Sequence, residues 1–382
     1  MAAPRAPWSR GQRVTARAVV ILALAALAVA VTGAPSNSLR VSTGQSTPVT
    51  QYVLANPKAP CRTQYVKRTL TLYRRKLVSV NGSVVSTTVK VRVVGCVLVT
   101  SPLRSSPPLF GLTFDNVANL NEKVAVLRAL PVHPTARVIF DVGEPARHYA
   151  VAVSELHAVA GVMGLLLDSS AAASISAAEY QTRVENYLRT LAPHVDVWEI
   201  GNEVNGSWAG PYANAEARIT EAFGDVAAIG ANSALTLYAN EYAPNNCGDG
   251  TSELTPVQFT KTYVSATVRD GLAYVFESYY PTQCHDTYPT NAQVRAEMRQ
   301  LHALYPHALV GFGEVGLPRR ATTRTLPTAA RVMSWAYHLN PRLSYYVGGY
   351  FWWYGAEDLV PASKPLHSTF VAALVAEDSL LN

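Results

Sequence analysis

Apolar and polar positions along this chain follow two regimes. From Tyr65 to Thr100 they alternate residue by residue, as in Thr69-Leu70-Thr71-Leu72 and Val89-Lys90-Val91-Arg92-Val93, which is the period of a half-buried strand. Asn81-Gly82 sits between the alternating runs and predicts a hairpin. From Leu109 onward the pattern changes to short continuous apolar runs, the mark of buried strands. They are Leu109–Phe114, Arg137–Phe140, Gly161–Leu167, Val195–Ile200, Ala234–Ala239, Ala273–Ser278, Ala308–Gly313 and Tyr346–Trp352. Helical patterns separate them, among them Ala177–Leu191, Ala213–Ile229, Pro256–Leu272, Asn291–Tyr305 and Thr328–Leu339. Eight strands, each followed by a helix, predict an α/β chain folded as a (β/α)₈ barrel, with a small N-terminal β module ahead of it. A doubly wound open sheet is the alternative. No G-x-G-x-x-G follows the first strand and no phosphate loop is present, so no nucleotide fingerprint supports it and no cofactor is expected.

Domain limits follow from composition. Residues 35 to about 50 are Ser/Thr-rich and read as a linker, and Ser105-Ser106-Pro107-Pro108 breaks the chain again. The organisation expected is a leader over 1–34, a linker and β-hairpin module over 35–107, and the barrel over 108–382. In the leader, Arg5, Arg10, Arg13 and Arg17 form a basic segment without an acid, and Ala18 to Val31 is a short apolar run followed by small residues. That is the pattern of a secretory signal peptide, with cleavage after Ala30 or Ala34. The apolar run is short for a membrane span, and an uncleaved anchor is the alternative. The expected location is therefore secreted or extracytoplasmic.

Charge sharpens this division. Residues 35–107 carry eleven Lys and Arg and no acid, whereas residues 108–382 hold all 26 acidic residues against 17 basic ones, a net of −9. The overall +6 hides two opposite halves. Either the basic module docks on the acidic barrel, or it attracts an anionic envelope polymer, glycan or membrane surface. Nucleic acid is not an expected partner of an exported chain. The four cysteines, Cys61, Cys96, Cys247 and Cys284, suggest two disulfides in such a chain. Sequence position favours Cys61–Cys96 and Cys247–Cys284, with free buried thiols as the alternative. No Cys-x-x-Cys or His-x-x-x-His spacing points to zinc, and no metal is expected.

The candidate chemistry lies at two strand ends with the same grammar. Asp196 to Gly206 reads D-V-W-E-I-G-N-E-V-N-G, and His307 to Pro318 reads H-A-L-V-G-F-G-E-V-G-L-P. In each, an apolar strand meets a glycine and then a glutamate: Glu203 after the fourth strand, Glu314 after the seventh. In a closed barrel these strands face each other across the mouth. Two carboxylates placed so are the equipment of glycoside hydrolysis, one protonating the leaving oxygen and the other attacking the anomeric carbon.

W-E-I-G-N-E resembles the fourth-strand motif of the large clan of retaining (β/α)₈ glycoside hydrolases, the cellulase-like and galactanase-like families. G-F-G-E-V-G-L-P resembles the clan's seventh-strand motif, F-E-S-Y-Y-P its sixth and G-G-Y-F-W-W-Y-G its eighth. The resemblance spans roughly residues 108–375 and implies a role for each matching residue. Glu203 is then the acid/base and Glu314 the nucleophile. Asn202 bonds the sugar 2-hydroxyl. Tyr280 orients Glu314, with Tyr279 as the alternative, because strand alternation turns only one of them inward. Trp352 or Trp353 floors the subsite at the scissile bond, and Trp208 and Tyr212 line outer subsites. Ser278 departs from the pattern, standing where cellulase-like members often carry a histidine. The clan's arginine beneath the nucleophile has no obvious match: Arg137 reads as lying at the wrong end of its strand, and Arg147 and His148 are the substitutes. Asp115, Asp141, Glu144 and Asp168 also lie at strand ends and read as cleft or capping residues. Asn81-Gly82-Ser83 and Asn205-Gly206-Ser207 match the glycosylation sequon.

The function expected is an exported retaining glycoside hydrolase acting on O-glycosidic bonds of a poly- or oligosaccharide. A transglycosidase with the same residues and a non-catalytic glycan-binding barrel are the alternatives.

Overall fold

The computed structural model describes the backbone of residues 52–54, 65–80 and 83–98, and the chain at 108–242, 247 and 253–381. The leader, the linker, Asn81 and Cys61 lie outside the described residues, as do the side chains on which docking of the basic module depends. Three strands precede the barrel: β1 (Tyr52–Leu54), β2 (Tyr65–Val80) and β3 (Ser83–Leu98). β2 and β3 pair antiparallel along their whole lengths, with Val80 opposite Ser83 across the Asn81-Gly82 dipeptide. β1 adds antiparallel to the other edge of β3.

Eight further strands close into a parallel barrel. They are β4 (Leu109–Phe114), β5 (Thr135–Ile139), β6 (Gly161–Leu165), β7 (Val197–Gly201), β8 (Asn232–Tyr238), β9 (Tyr274–Tyr279), β10 (Leu309–Val315) and β11 (Tyr346–Trp352). Neighbours pair in sequence order and β11 pairs back onto β4. Because all the strands run the same way, the strand ends singled out by the sequence lie at one end of the barrel.

Helices cover the outside: α1 (Leu120–Ala129), α2 (Ala150–His157), α3 (Ser169–Ala172), α4 (Ala177–Leu191), α5 (Tyr212–Ala228), α6 (Pro256–Tyr263), α7 (Ala266–Gly271), α8 (Asn291–Leu304), α9 (Leu326–Ala336), α10 (Gly355–Leu359) and α11 (His367–Leu381). Capping boxes start α4, α6 and α8: Ser176 with Glu179, Thr255 with Gln258, Thr290 with Gln293. The single helix expected over 256–272 is two. Ser265 accepts from the Val268 amide and so starts a second helix, α7, after α6 has ended.

Two apolar clusters divide the barrel. The larger packs the outer strand faces against the helices and includes Trp198, Tyr279, Phe312 and Trp352. The smaller fills the barrel interior with Leu109, Met163, Val197, Ala234, Tyr274, Phe276, Val347 and Phe351. Strand alternation carries each strand from one cluster to the other: on β9, Tyr274 and Phe276 face in while Val275 and Tyr279 face out. Among the described residues, no helix is long and apolar enough to cross a membrane.

Candidate active site

The charged floor of the site is inside the barrel. Arg137 lies mid-strand on β5 and is fully buried. Its Nε and Nη2 donate to the two oxygens of Glu199 on β7 at 2.6 and 2.9 Å. Its Nη1 donates to Oε2 of Glu314 at 2.9 Å. Thr236 on β8 donates to Glu199 from the other side at 2.6 Å. Arg137 therefore is the arginine beneath Glu314, which corrects the sequence reading. β5 begins at Thr135, so Arg137 is central in the strand, and its long side chain carries the guanidinium to the mouth. Arg147 and His148 are exposed on the short turn 146–148 and take no part.

Glu314 reaches the mouth because β10 is bulged. Its pairing with β9 slips between Phe312 and Glu314, and a bulge of this kind re-aims the next side chain. Gly313 is required there. A Cβ at that position would lie 2.7 Å from Thr236 Oγ1 and 2.8 Å from Phe276 Cβ. Tyr280, just past β9, donates to the second Glu314 oxygen at 2.5 Å. Burial raises the Tyr280 phenol well above its ordinary range, aided by the charge of Glu314, so the phenol stays a donor.

Glu203 follows β7 with φ of 47°, in the left-handed region that costs a non-glycine residue of order 1 kcal/mol. Two neutral hydroxyls hold it: Ser278 donates to Oε1 at 2.5 Å and Ser169 to Oε2 at 2.7 Å. Ser169 in turn accepts from the Trp208 indole at 3.1 Å. The Trp208 ring is fixed edge-on against Tyr238, and Gly206 leaves room for it.

Burial pushes both carboxyls up. Glu203 is raised by desolvation, partly offset by the Ser278 and Ser169 hydroxyls. Glu314 is raised further, by desolvation and then by the charge of Glu203, against Arg137 and Tyr280. Two carboxylates so placed cannot both ionise freely at neutral pH. The direct guanidinium contact opposes this rise at Glu314, whereas the donors to Glu203 among the described residues are neutral hydroxyls.

The remaining sequence candidates separate. Asn202 is buried beside Glu203, and its Oδ1 has no hydrogen-bond partner among the described residues. Trp353 is half-buried with the Arg137 guanidinium 5.4 Å from its ring centre. Trp352 is fully buried in the outer core and donates to Asp358 at 3.0 Å. Tyr279 also turns outward and donates to the Thr287 carbonyl. Tyr212 packs against Phe259 and Tyr263 at the edge of the outer core. Asn205 is fully buried, its amide spent on the Tyr238 and Leu254 carbonyls, so its sequon is closed in the folded chain. Asp168 caps α3, and Asp141 accepts from Tyr149. Sequence reasoning missed Ser169, Glu199 and Thr236. A charge placed mid-strand in an apolar run, Glu199 in V-W-E-I, was the available signal for the second.

Among the described residues, Glu241, Glu277 and Glu297 have oxygens within 4.8 Å of one another. Glu277 lies on the outer face of β9, so this set is remote from Glu203 and Glu314. Burial raises all three carboxyls, Glu241 to about 8 and Glu297 to about 7, and Tyr242 donates to Glu277 at 2.7 Å. Cys247 and Cys284 are disulfide-bonded.

No protein-family model matches the sequence, and no curated protein matches it. Among solved structures, the chain is similar to the catalytic domain of a GH53 protein from Ignisphaera aggregans, at 15% identity and a TM-score of 0.47, over 73% of this chain and 99% of that one. It is similar to a GH10 xylanase from Bispora sp. MEY-1 at 12% identity and a TM-score of 0.48, over 70% and 97%. It is also similar to Gas2p of Saccharomyces cerevisiae, in complex with laminaripentaose, at 15% identity and a TM-score of 0.45, over 72% and 66%. The barrel assignment rests on the closed strand order itself.

Proposed function

We propose that this chain is an exported retaining glycoside hydrolase that cleaves O-glycosidic bonds of a poly- or oligosaccharide by double displacement. One observation carries the reading. Two buried glutamates share one barrel mouth, and their partners differ in kind: guanidinium and phenol on Glu314, two aliphatic hydroxyls on Glu203. That difference suits one to attack as a carboxylate and the other to donate a proton. Ser278 supports their closeness, being the strand-register partner of Glu314 and a hydrogen-bond donor to Glu203.

In the first step Glu314 attacks the anomeric carbon while Glu203 protonates the departing oxygen. In the second Glu203 takes a proton from water, which attacks the anomeric carbon and releases Glu314. Asn202 has a free buried acceptor for a sugar hydroxyl, and Trp353 offers an aromatic face to a pyranose. The Arg-flanked apolar leader and the Cys247–Cys284 bond support export. The basic residues of 35–107 suit weak retention on an anionic envelope polymer.

The test is to present the purified chain with a panel of polysaccharides and aryl glycosides and to follow the first-formed anomer by NMR. Retained configuration, abolished in Glu314→Ala, is the expected result. Binding without turnover across the panel would favour a glycan-binding barrel, and an inverted product would overturn double displacement.

A further inference from the structure

We infer that Glu199 is a positioning residue for Glu314: by gripping Arg137 it fixes the guanidinium and sets how much of its charge Glu314 receives, and with that the pH at which Glu314 ionises. Its catalytic meaning rests on the glycosidase reading, while the electrostatic claim does not.

The guanidinium is shared unequally. Glu199 takes Nε and Nη2 in a two-bond fork, and Glu314 takes Nη1 alone. The fork fixes the guanidinium plane, as bidentate pairing does, and so fixes where the third donor points. Glu199 is itself held, because Thr236 donates to the same oxygen that accepts from Nη2. Arg137, Glu199 and Thr236 are all fully buried, where solvent screens little.

The groups facing Glu314 come from four elements besides its own strand. They are Arg137 on β5, Asp168 after β6, Glu203 after β7 and Tyr280 after β9. Arg137 is the single cation among them. Glu199 already neutralises it, so Glu314 ionises against a cation that is half spent. With Glu199 neutral, Arg137 would answer to Glu314 alone, and Glu314 would ionise at lower pH. The pairing thus keeps Arg137 oriented while limiting how far it stabilises the Glu314 carboxylate. Too deep a stabilisation would make Glu314 a poor nucleophile.

The test uses the full chain with glutamate ¹³C-labelled at the side-chain carboxyl. Glu314 is assigned by the signal lost in Glu314→Gln, and its titration is followed in wild type, Glu199→Gln and Glu199→Asp. Glu199→Gln is expected to lower the Glu314 midpoint by roughly one pH unit or more, the size of an opposite-charge effect at contact. Glu199→Asp keeps the charge and is expected to hold the midpoint within about half a unit. A Glu314 midpoint unchanged or raised in Glu199→Gln overturns the inference. So does a fall in Glu199→Asp as large as that expected for Glu199→Gln, and this arm stands alone if Glu199→Gln does not fold. The predicted shift in a chain that turns over no glycoside sinks the glycosidase reading and leaves the electrostatic claim intact. Turnover through Glu314 with an unmoved midpoint does the reverse.

Discussion

Ser278 donates its hydroxyl to Oε1 of Glu203 at 2.5 Å from the strand that pairs with the one carrying Glu314. A donor to a carboxylate favours its ionised form, so Ser278 holds Glu203 below where burial alone would put it. Ser278→Ala should therefore raise the Glu203 pKa and move the alkaline limb of the pH–rate profile upward. One lost hydrogen bond is worth about 1 kcal/mol, so the shift should be under about one pH unit. A downward shift of that limb would contradict the assignment of the limb to Glu203.

Tyr280→Phe removes the phenol from Glu314 and leaves Arg137 as its remaining donor. Loss of a hydrogen bond to a charged group should lower kcat/KM by about ten- to a hundredfold. The acidic limb should move up, since Glu314 then ionises less readily. Tyr279→Phe, on the outer face, should change neither. Steady-state rates across pH in the two variants check both statements.

The Glu241–Glu277–Glu297 set makes a separate prediction about stability. Burial raises these carboxyls in the folded chain, to about 8 for Glu241 and about 7 for Glu297, above the ordinary value of 4.5. Between 4.5 and those values the folded chain binds more protons than the unfolded one. Their contribution is thus full below pH 4.5 and is lost as pH rises through 7 to 8. Glu297→Gln should flatten the fall in Tm between pH 5 and pH 8. A Tm that falls as steeply in the variant as in wild type would show that this set does not govern it.

The disulfide ties residue 247, after β8, to residue 284, after β9. Cys247→Ser should cost about 2–4 kcal/mol, the usual range for such a bond. Denaturant unfolding of the variant, and of wild type with and without reductant, checks this.

The barrel was legible because its strands are buried on both faces and read as apolar runs between helical patterns. Glu203 and Glu314 were legible because each is a charge at the end of an apolar run near a glycine, Glu203 two residues past Gly201 and Glu314 directly after Gly313. Arg137 was misread for a reason of length: a strand boundary placed two residues late moved it to the end, and a guanidinium acts several ångströms from its Cα. Ser169 was not legible, since a serine after an aspartate is most simply a helix start, and its contact with Glu203 exists only once β6 and β7 pair. Tyr279 and Tyr280 were separable in principle but lacked a phase. Only the pairing of β9 shows that Ser278 and Tyr280 face in while Glu277 and Tyr279 face out.

The most direct measurement of the central claim is azide rescue, with an activated aryl glycoside as substrate. Glu203→Ala should form the glycosyl-enzyme on a good leaving group, stall at its hydrolysis, and recover turnover with azide, giving a glycosyl azide of retained configuration. Glu314→Ala should give no retained product, with azide or without. A retained azide product from Glu314→Ala, or an inverted one from Glu203→Ala, would contradict the assignment of Glu314 as nucleophile and Glu203 as acid/base.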